Sequence, residues 1–447
     1  MTFSLRSRLK TSVALAAIAA QLAVAAGPAM AFCGFYVAKA DAKMFNKSSK
    51  VVLAREGRQT AITMASDYEG KPSEFALVVP VPTFIEKHQI SVVDTKTIDH
   101  LDAYTAPRLV EYYDQDPCAP AYDTRMMALA VAERMVPVPV PKPAAYPGVK
   151  IEAQYDVAEY DILILSAEQS DGLLKWLNDN GYKIPAGAEP VIGSYIKQNM
   201  HFFVAKVNVK RLNELGRTYL KPLQVRYETA KFMLPLRLGT VNAKGAQDLV
   251  VYALSRRGRV EAANYQTVKV PSDIDVPLFV ASDFANVYKA AFERTVDRQG
   301  GHGVFIEYAW DMGWCDPCAA EPMSNPELAE LGAQWLGSGA GGGNAMRPMP
   351  GSGVDVFVTR LHVRYDARSF PEDIAFLETS DRENFQARYI LHHPHEGGSC
   401  PAAKDYRASL PGRFKKEAEN LADMTGWPKQ DIEARMALNG QPISGAN

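Results

Sequence analysis

The chain has 447 residues, 47% of them hydrophobic and 22% charged, which is the balance of a folded globular protein and excludes a disordered one. That length exceeds one hydrophobic core of ordinary size, so two or three domains are expected. The formal net charge is −2, with Lys and Arg scattered, and offers no basic face to nucleic acid or to an anionic membrane.

Residues 1–31 read as a signal peptide. Arg6, Arg8 and Lys10 form a cationic start, followed by the apolar, Ala-rich run Thr11–Ala26. Pro28 breaks that run, and Ala29-Met30-Ala31 supplies the small residues that signal peptidase needs, which places the cut between Ala31 and Phe32. At about sixteen residues the run is shorter than the ~20 that cross a bilayer. Phe32, rather than a small residue, precedes Cys33 and argues against lipid attachment. No later stretch reaches transmembrane length. An exported product is expected, periplasmic in a Gram-negative cell and secreted otherwise. All five cysteines (Cys33, Cys118, Cys315, Cys318, Cys400) follow the cut, where an oxidising compartment favours bridges. Their odd number leaves at least one unpaired or paired between chains.

Residues 32–135 form an expected β-rich N-terminal domain. Lys50–Arg55, Gln59–Ala65 and Glu74–Val81 are strand-like runs separated by turn residues, and Thr95–Ala106 is a helix stopped by Pro107. Residues 136–150 alternate Pro137, Pro139, Pro141 and Pro143, an extended spacer between domains.

An α/β domain is expected over 151–275. Tyr160–Leu165 is a continuous apolar run fit for a buried strand, and Ser166-Ala-Glu-Gln169 has capping-box spacing. Leu173, Leu174, Trp176 and Leu177 make one helical stripe, which reads Trp176 as core. A second helix (Glu189–Asn199) and a strand (His201–Val209) complete a strand–helix–helix–strand unit. Further strands are expected at Leu223–Glu228, Lys231–Leu238, Asp248–Ser255 and Tyr265–Val270.

Residues 276–447 form an expected C-terminal α+β domain. It holds a helix over Ser282–Asp297, an apolar run Val304–Trp310, and Trp314-Cys315-Asp316-Pro317-Cys318. A helix capped by Ser324 runs to Leu336, and 337–353 is a glycine-rich loop with no strand before it to make a phosphate cradle. Strands follow at Asp355–Tyr365 and Asn384–His392, then helices at Pro411–Met424 and Pro428–Leu438.

Cys315 and Cys318 have the spacing of a thiol–disulfide pair, with Cys315 as attacking and Cys318 as resolving thiol, provided a helix N-terminus lowers the first thiol's pKa. Glu321-Pro322 and Ser324-Asn325-Pro326 interrupt any such helix. As a staple the pair closes a loop worth only ~2 kcal/mol, whereas joining Cys118 to Cys400 is worth ~5 kcal/mol. The connectivity stays open, including bridges from Cys315 or Cys318 to distant cysteines. In Leu391-His392-His393-Pro394-His395-Glu396, His393 and His395 share a face of an extended chain and are runner-up metal ligands, though two near ligands do not close a site. His302, between two glycines, reads as a turn residue. No nucleophile elbow, Walker loop, dinucleotide fingerprint or His-Glu-x-x-His motif occurs.

The Cys33 opening, Val79-Pro80-Val81-Pro82, Thr105-Ala106-Pro107-Arg108, the Tyr160–Tyr182 unit, Trp314–Cys318 and Leu421–Trp427 together resemble a bacterial exported family known only as domain of unknown function 2330. That resemblance brings no activity, substrate or cofactor with it. The expected fold class is α+β, with antiparallel and mixed sheets, helices packed on them, and disulfides. The expected function is that of a non-enzymatic, disulfide-stabilised binding or envelope protein presenting sheet edges and aromatic surface to an unidentified partner. Thiol–disulfide exchange and metal binding are the alternatives. No cofactor and no catalytic residue is nominated.

Overall fold

Alternating apolar and β-branched residues in the first third of the chain become strands, each burying one side against the next layer. The computed structural model describes residues 35–39, 45–69, 75–119, 150–166, 170–180, 182–183, 187–216, 219–241, 245–314, 316, 321–336 and 354–443. Strands β1 (Phe35–Lys39), β2 (Phe45–Glu56), β3 (Gln59–Glu69), β4 (Phe75–Val81) and β5 (Ile90–Val92) lead into helix α1 (Thr95–Thr105). The Asp94 carboxylate caps α1 by accepting the Lys96 N–H, and the helix ends at Ala106, ahead of Pro107. Strand β6 (Arg108–Tyr113) follows.

The expected strand–helix–helix–strand unit is present as β8 (Tyr160–Ser166), α2 (Ser170–Asp179), α3 (Ala188–Ile196) and β10 (His201–Val207). It is preceded by β7 (Lys150–Val157) and interrupted by the two-residue β9 (Tyr182–Lys183). The chain continues through α4 (Val209–Glu214), β11 (Leu223–Glu228), β12 (Met233–Leu234), α5 (Arg237–Val241), β13 (Gln247–Ser255), β14 (Val260–Ala262), β15 (Gln266–Lys269) and β16 (Ile274–Asp275). The last third holds α6 (Phe284–Arg298), β17 (Gly303–Asp311), α7 (Asn325–Glu330), β18 (Phe357–Tyr365), β19 (Ile374–Glu378), β20 (Phe385–Gln386), β21 (Arg388–His393), α8 (Pro401–Thr425) and α9 (Lys429–Leu438).

These elements make an α+β fold of mixed and antiparallel sheets. One sheet runs β7-β8-β10-β4-β1-β9, and a larger one runs β15-β17-β18-β13-β2-β3-β11-β5, with β20 added on β17. Two three-stranded sheets, β12-β19-β14 and β16-β21-β6, complete the set. Along β2 the faces alternate: Val51 and Leu53 enter the main core shared with the first sheet, whereas Val52 and Ala54 pack with α1 and α7. The segments expected as separate domains therefore interleave. Strand β4, from 32–135, pairs with β10 and β1 pairs with β9, both partners coming from 151–275, and β2 pairs in parallel with β13.

Several local expectations are corrected. Ser166 is the last residue of β8 and donates its hydroxyl to Glu152 at 2.8 Å, while the rest of the expected capping box, through Gln169, lies outside the described residues. The Lys231–Leu238 run yields only β12 and then α5, because Pro235 between them has no N–H for a ladder. The Ser324 cap is real, with its Glu327 partner completing a capping box. Its helix, however, ends at Glu330, because Gly332 takes φ 111° and lies on the sheet, where a Cβ would come within 2.6 Å of Ala61. Helix α8 starts ten residues before Pro411, which lies inside it. Buried Ala403 on one side of the proline and Phe414, Ala418 and Leu421 on the other outweigh the one missing backbone hydrogen bond.

Candidate binding site

The site is assembled where β17 ends. A register shift between Ile306 and Tyr308 inserts Glu307 as an extra residue opposite β18. The bulge turns Glu307 toward Arg360 and His362 and leaves Tyr308 packed with Tyr104 of α1 at 6.0 Å between ring centres. Glu307 is buried; it accepts from Arg360 Nε at 2.6 Å and from the Tyr288 hydroxyl, and lies 2.6 Å from His362 Nδ1. Arg360 continues to Asp102 of α1 at 2.6 Å, and Asp102 also receives the Tyr252 hydroxyl and Lys50, each at 2.6 Å. Burial opposes ionisation of Glu307, but His362 and Arg360 overcome it and lower its pKa to about 2. Asp102 follows the same logic: burial raises its pKa, and Arg360, Lys50 and Tyr252 bring it down to about 2. This seam clamps β17, β18, α1 and α6 together, so the end of β17 is held on a rigid base.

Beyond it the chain turns at Gly313, whose N–H is taken by Asp311 Oδ1, and brings Asp316 back under the sheet. Asp316, the residue inside the Cys-x-x-Cys motif, is buried and accepts Tyr308 Oη at 3.1 Å and Gln386 Nε2 at 2.7 Å. Burial, with Tyr104 and Asp316 beside it, pushes the Tyr308 hydroxyl far up, so it remains a donor. Trp310 gives its indole N–H to the Trp314 carbonyl at 3.2 Å and stacks on Tyr308, while Trp314 itself is exposed.

Across from Trp310 stand Ser272 and Asp273. Asp273 adopts φ 56°, a left-handed backbone that an aspartate enters at a cost. Its N–H bonds the Arg388 carbonyl at 2.8 Å, its carboxylate takes Arg388 Nε, and Ser272 Oγ donates to the Gln386 carbonyl at 2.7 Å. The Asp273–Arg388 pair separates two clefts. One, of about 260 Å³, is lined by Trp310, Asp316, Asn384, Phe385, Gln386 and the pair itself. The other, of about 440 Å³, runs from Asp273 and Asp275 to Arg298, Lys416 and Asp423 at the end of α8.

Of the residues singled out from sequence, Cys118 and Cys400 form a disulfide spanning 282 positions. Cys33, Cys315, Cys318, the Ala31–Phe32 cut, the proline run and the 337–353 loop lie outside the described residues. His393 bonds Glu111 at 2.8 Å and stacks on Tyr113, and His395 faces Asp116 at 3.6 Å. Among the described residues no group of three His, Cys, Asp or Glu is placed to hold a metal ion. His302 sits in the turn before β17 and bonds the Ser369 carbonyl at 2.9 Å. Trp176 packs beside Leu173 and Leu177.

The Glu307–Arg360–Asp102 seam and left-handed Asp273 escaped the sequence reading. A signal existed for the first, since a lone carboxylate inside Val304–Trp310 has to find a buried partner.

The architecture defines a disulfide-bridged α+β protein with a clefted polar site at a strand end. The chain belongs to the family described as "Uncharacterized protein conserved in bacteria (DUF2330)", whose pattern matches residues 27–377. The His392–Glu396 cluster and Leu421–Trp427 lie beyond that match. No curated protein and no solved structure matches the chain.

Proposed function

We propose that this is an exported, non-enzymatic binding protein of the cell envelope, which takes its ligand in the clefts flanking Asp273–Arg388. The observation that carries this reading is the Cys118–Cys400 bridge, since a structural disulfide persists in oxidising compartments and is rare in the cytosol. The bridge ties the loop after β6 to the residue immediately before α8, next to the sheet that supplies Arg388 and Asp275. At the clefts Asp273 is paired with Arg388 and Asp423 with Arg298, an arrangement that holds the shape of the walls. A fusion of the full chain to alkaline phosphatase, which folds only outside the cytoplasm, tests export. Active phosphatase is expected; an inactive, cytoplasmic fusion overturns the reading.

Thiol–disulfide exchange by Cys315 and Cys318 is the second reading, favoured by the exposure of Trp314 directly before Cys315. A reduction potential below about −300 mV for that pair marks a structural bridge, and one near −120 to −270 mV marks an exchange pair.

A further inference from the structure

The smaller cleft has a chemistry that selects a class of ligand, and the selection rests on the binding reading above. Its volume of about 260 Å³ lies below the ~300–1,000 Å³ of pockets for drug-sized molecules, which leaves room for one ring and not for several. Its charged groups are already engaged: Arg388 is held by Asp273, and buried Asp316 accepts from the neutral Tyr308 and Gln386, so the lining carries one more carboxylate than cation. An anionic ligand would meet this excess of carboxylate, and a cationic one would have to compete with Tyr308 and Gln386 for buried Asp316, whereas a neutral one does neither. Lys269 Nζ lies 5.1 Å from the centre of the Phe385 ring, so one aromatic wall already has its cation.

What remains for a ligand is a π-surface and two amides. The Trp310 N–H is committed to Trp314, so the indole offers ring and not donor. Asn384 Oδ1 takes the Asp311 N–H at 3.0 Å, and its Nδ2 has no hydrogen-bond partner among the described residues. Gln386 spends its Nε2 on Asp316 at 2.7 Å, and its Oε1 has none there either. One free donor and one free acceptor beside an aromatic wall match adjacent hydroxyl groups, each of which both donates and accepts, on a ring with an apolar C–H face. We propose that this cleft binds a single neutral sugar unit of a glycan, stacked on Trp310 and hydrogen-bonded by Asn384 and Gln386.

The test is calorimetric titration of the full mature chain with cellotriose and chitotriose as neutral probes, and galacturonate and glucosamine as charged ones. Each is run at ~50 and ~500 mM salt, a range over which exposed charge interactions are largely screened. Saturable binding of a neutral probe is expected, unchanged by salt. Asn384→Ala should weaken it roughly three- to tenfold. Trp310→Leu should weaken it more and Trp310→Phe less, with thermal melts checking that each variant is folded. Binding that is indifferent to both Asn384→Ala and Trp310→Leu overturns the assignment. Tighter, salt-sensitive binding of a charged probe that is lost in the same variants overturns the sugar while leaving the cleft as a ligand site. Failure of every probe overturns the sugar assignment, and an inactive phosphatase fusion separately overturns the exported binding reading.

Discussion

Glu307 shows how much a single buried charge fixes. Replacing Glu307 with Gln leaves Arg360 with Asp102 as its one carboxylate and breaks the buried pair, and a loss of about 3–5 kcal/mol in urea unfolding is expected. The paired replacement Glu307→Leu with Arg360→Met should recover only part of that loss, since it removes the ion pair but also takes the acceptor from Tyr288 and His362 and a partner from Asp102. Glu307 and Asp102 both have lowered pKa values, so their stabilisation is complete above their unfolded pKa values near 4 and is lost as pH falls toward 2. Each group is worth roughly 2–3 kcal/mol over that window, so acid unfolding of the Leu/Met variant should be shallower than that of the wild type. Glu417 of α8 has the opposite sign. Burial raises its pKa to about 7, with Gln441 and Arg413 opposing and Asp275 and Asp114 adding to the rise. Its favourable contribution is present below pH ~4.5 and disappears as pH climbs through 7, a change of about 3 kcal/mol. Denaturation curves at pH 5 and 8 should therefore draw together in Glu417→Gln; an undiminished difference contradicts this account. A charge placed inside an apolar strand is visible in sequence, but its partners on other elements are not, because they come from positions far along the chain.

At the scale of elements, the Cys118–Cys400 bridge does most to place α8. Cys400 is the residue immediately before the helix and Pro401 its first position, so the sulfur link joins the helix start to the end of β6. Gly398, at φ 78°, permits the approach, since a Cβ there would stand 2.9 Å from Cys118 Sγ. Replacing both cysteines with Ser should cost about 2–5 kcal/mol and raise hydrogen exchange first in Arg108–Tyr113 and in the first turns of α8. Uniform exchange in both proteins contradicts that role. Most of the longer elements were legible in sequence: the stripe Leu173, Leu174, Trp176 and Leu177 marked α2, and Pro107 marked the end of α1. Short ones such as β14 and β19 were not, because three to five residues carry too little periodicity. The start of α8 was misplaced since Pro411 imitates a helix beginning, and only packing on both sides of it reveals otherwise.

At the scale of the molecule, chain order and spatial order diverge. The proline-rich stretch suggested a boundary, yet strands from before and after it share sheets, because β1 and β4 complete a sheet with β8 and β10. Pairing between strands more than a hundred residues apart leaves no local trace, so the fold class was legible while the arrangement of sheets was not. The same holds for the candidate site. Its cysteine motif was visible, but the smaller cleft is made by Asp273, Trp310, Asp316, Asn384–Gln386 and Arg388, which only the sheets bring together. The account depends on this chain being exported and cross-linked. Peptide mapping of native protein, alkylated before lysis and digested without reductant, tests that most directly. A fragment joining Cys118 to Cys400, from a chain beginning at Phe32, is predicted; alkylated Cys118 and Cys400 in a chain that keeps Met1 would contradict it.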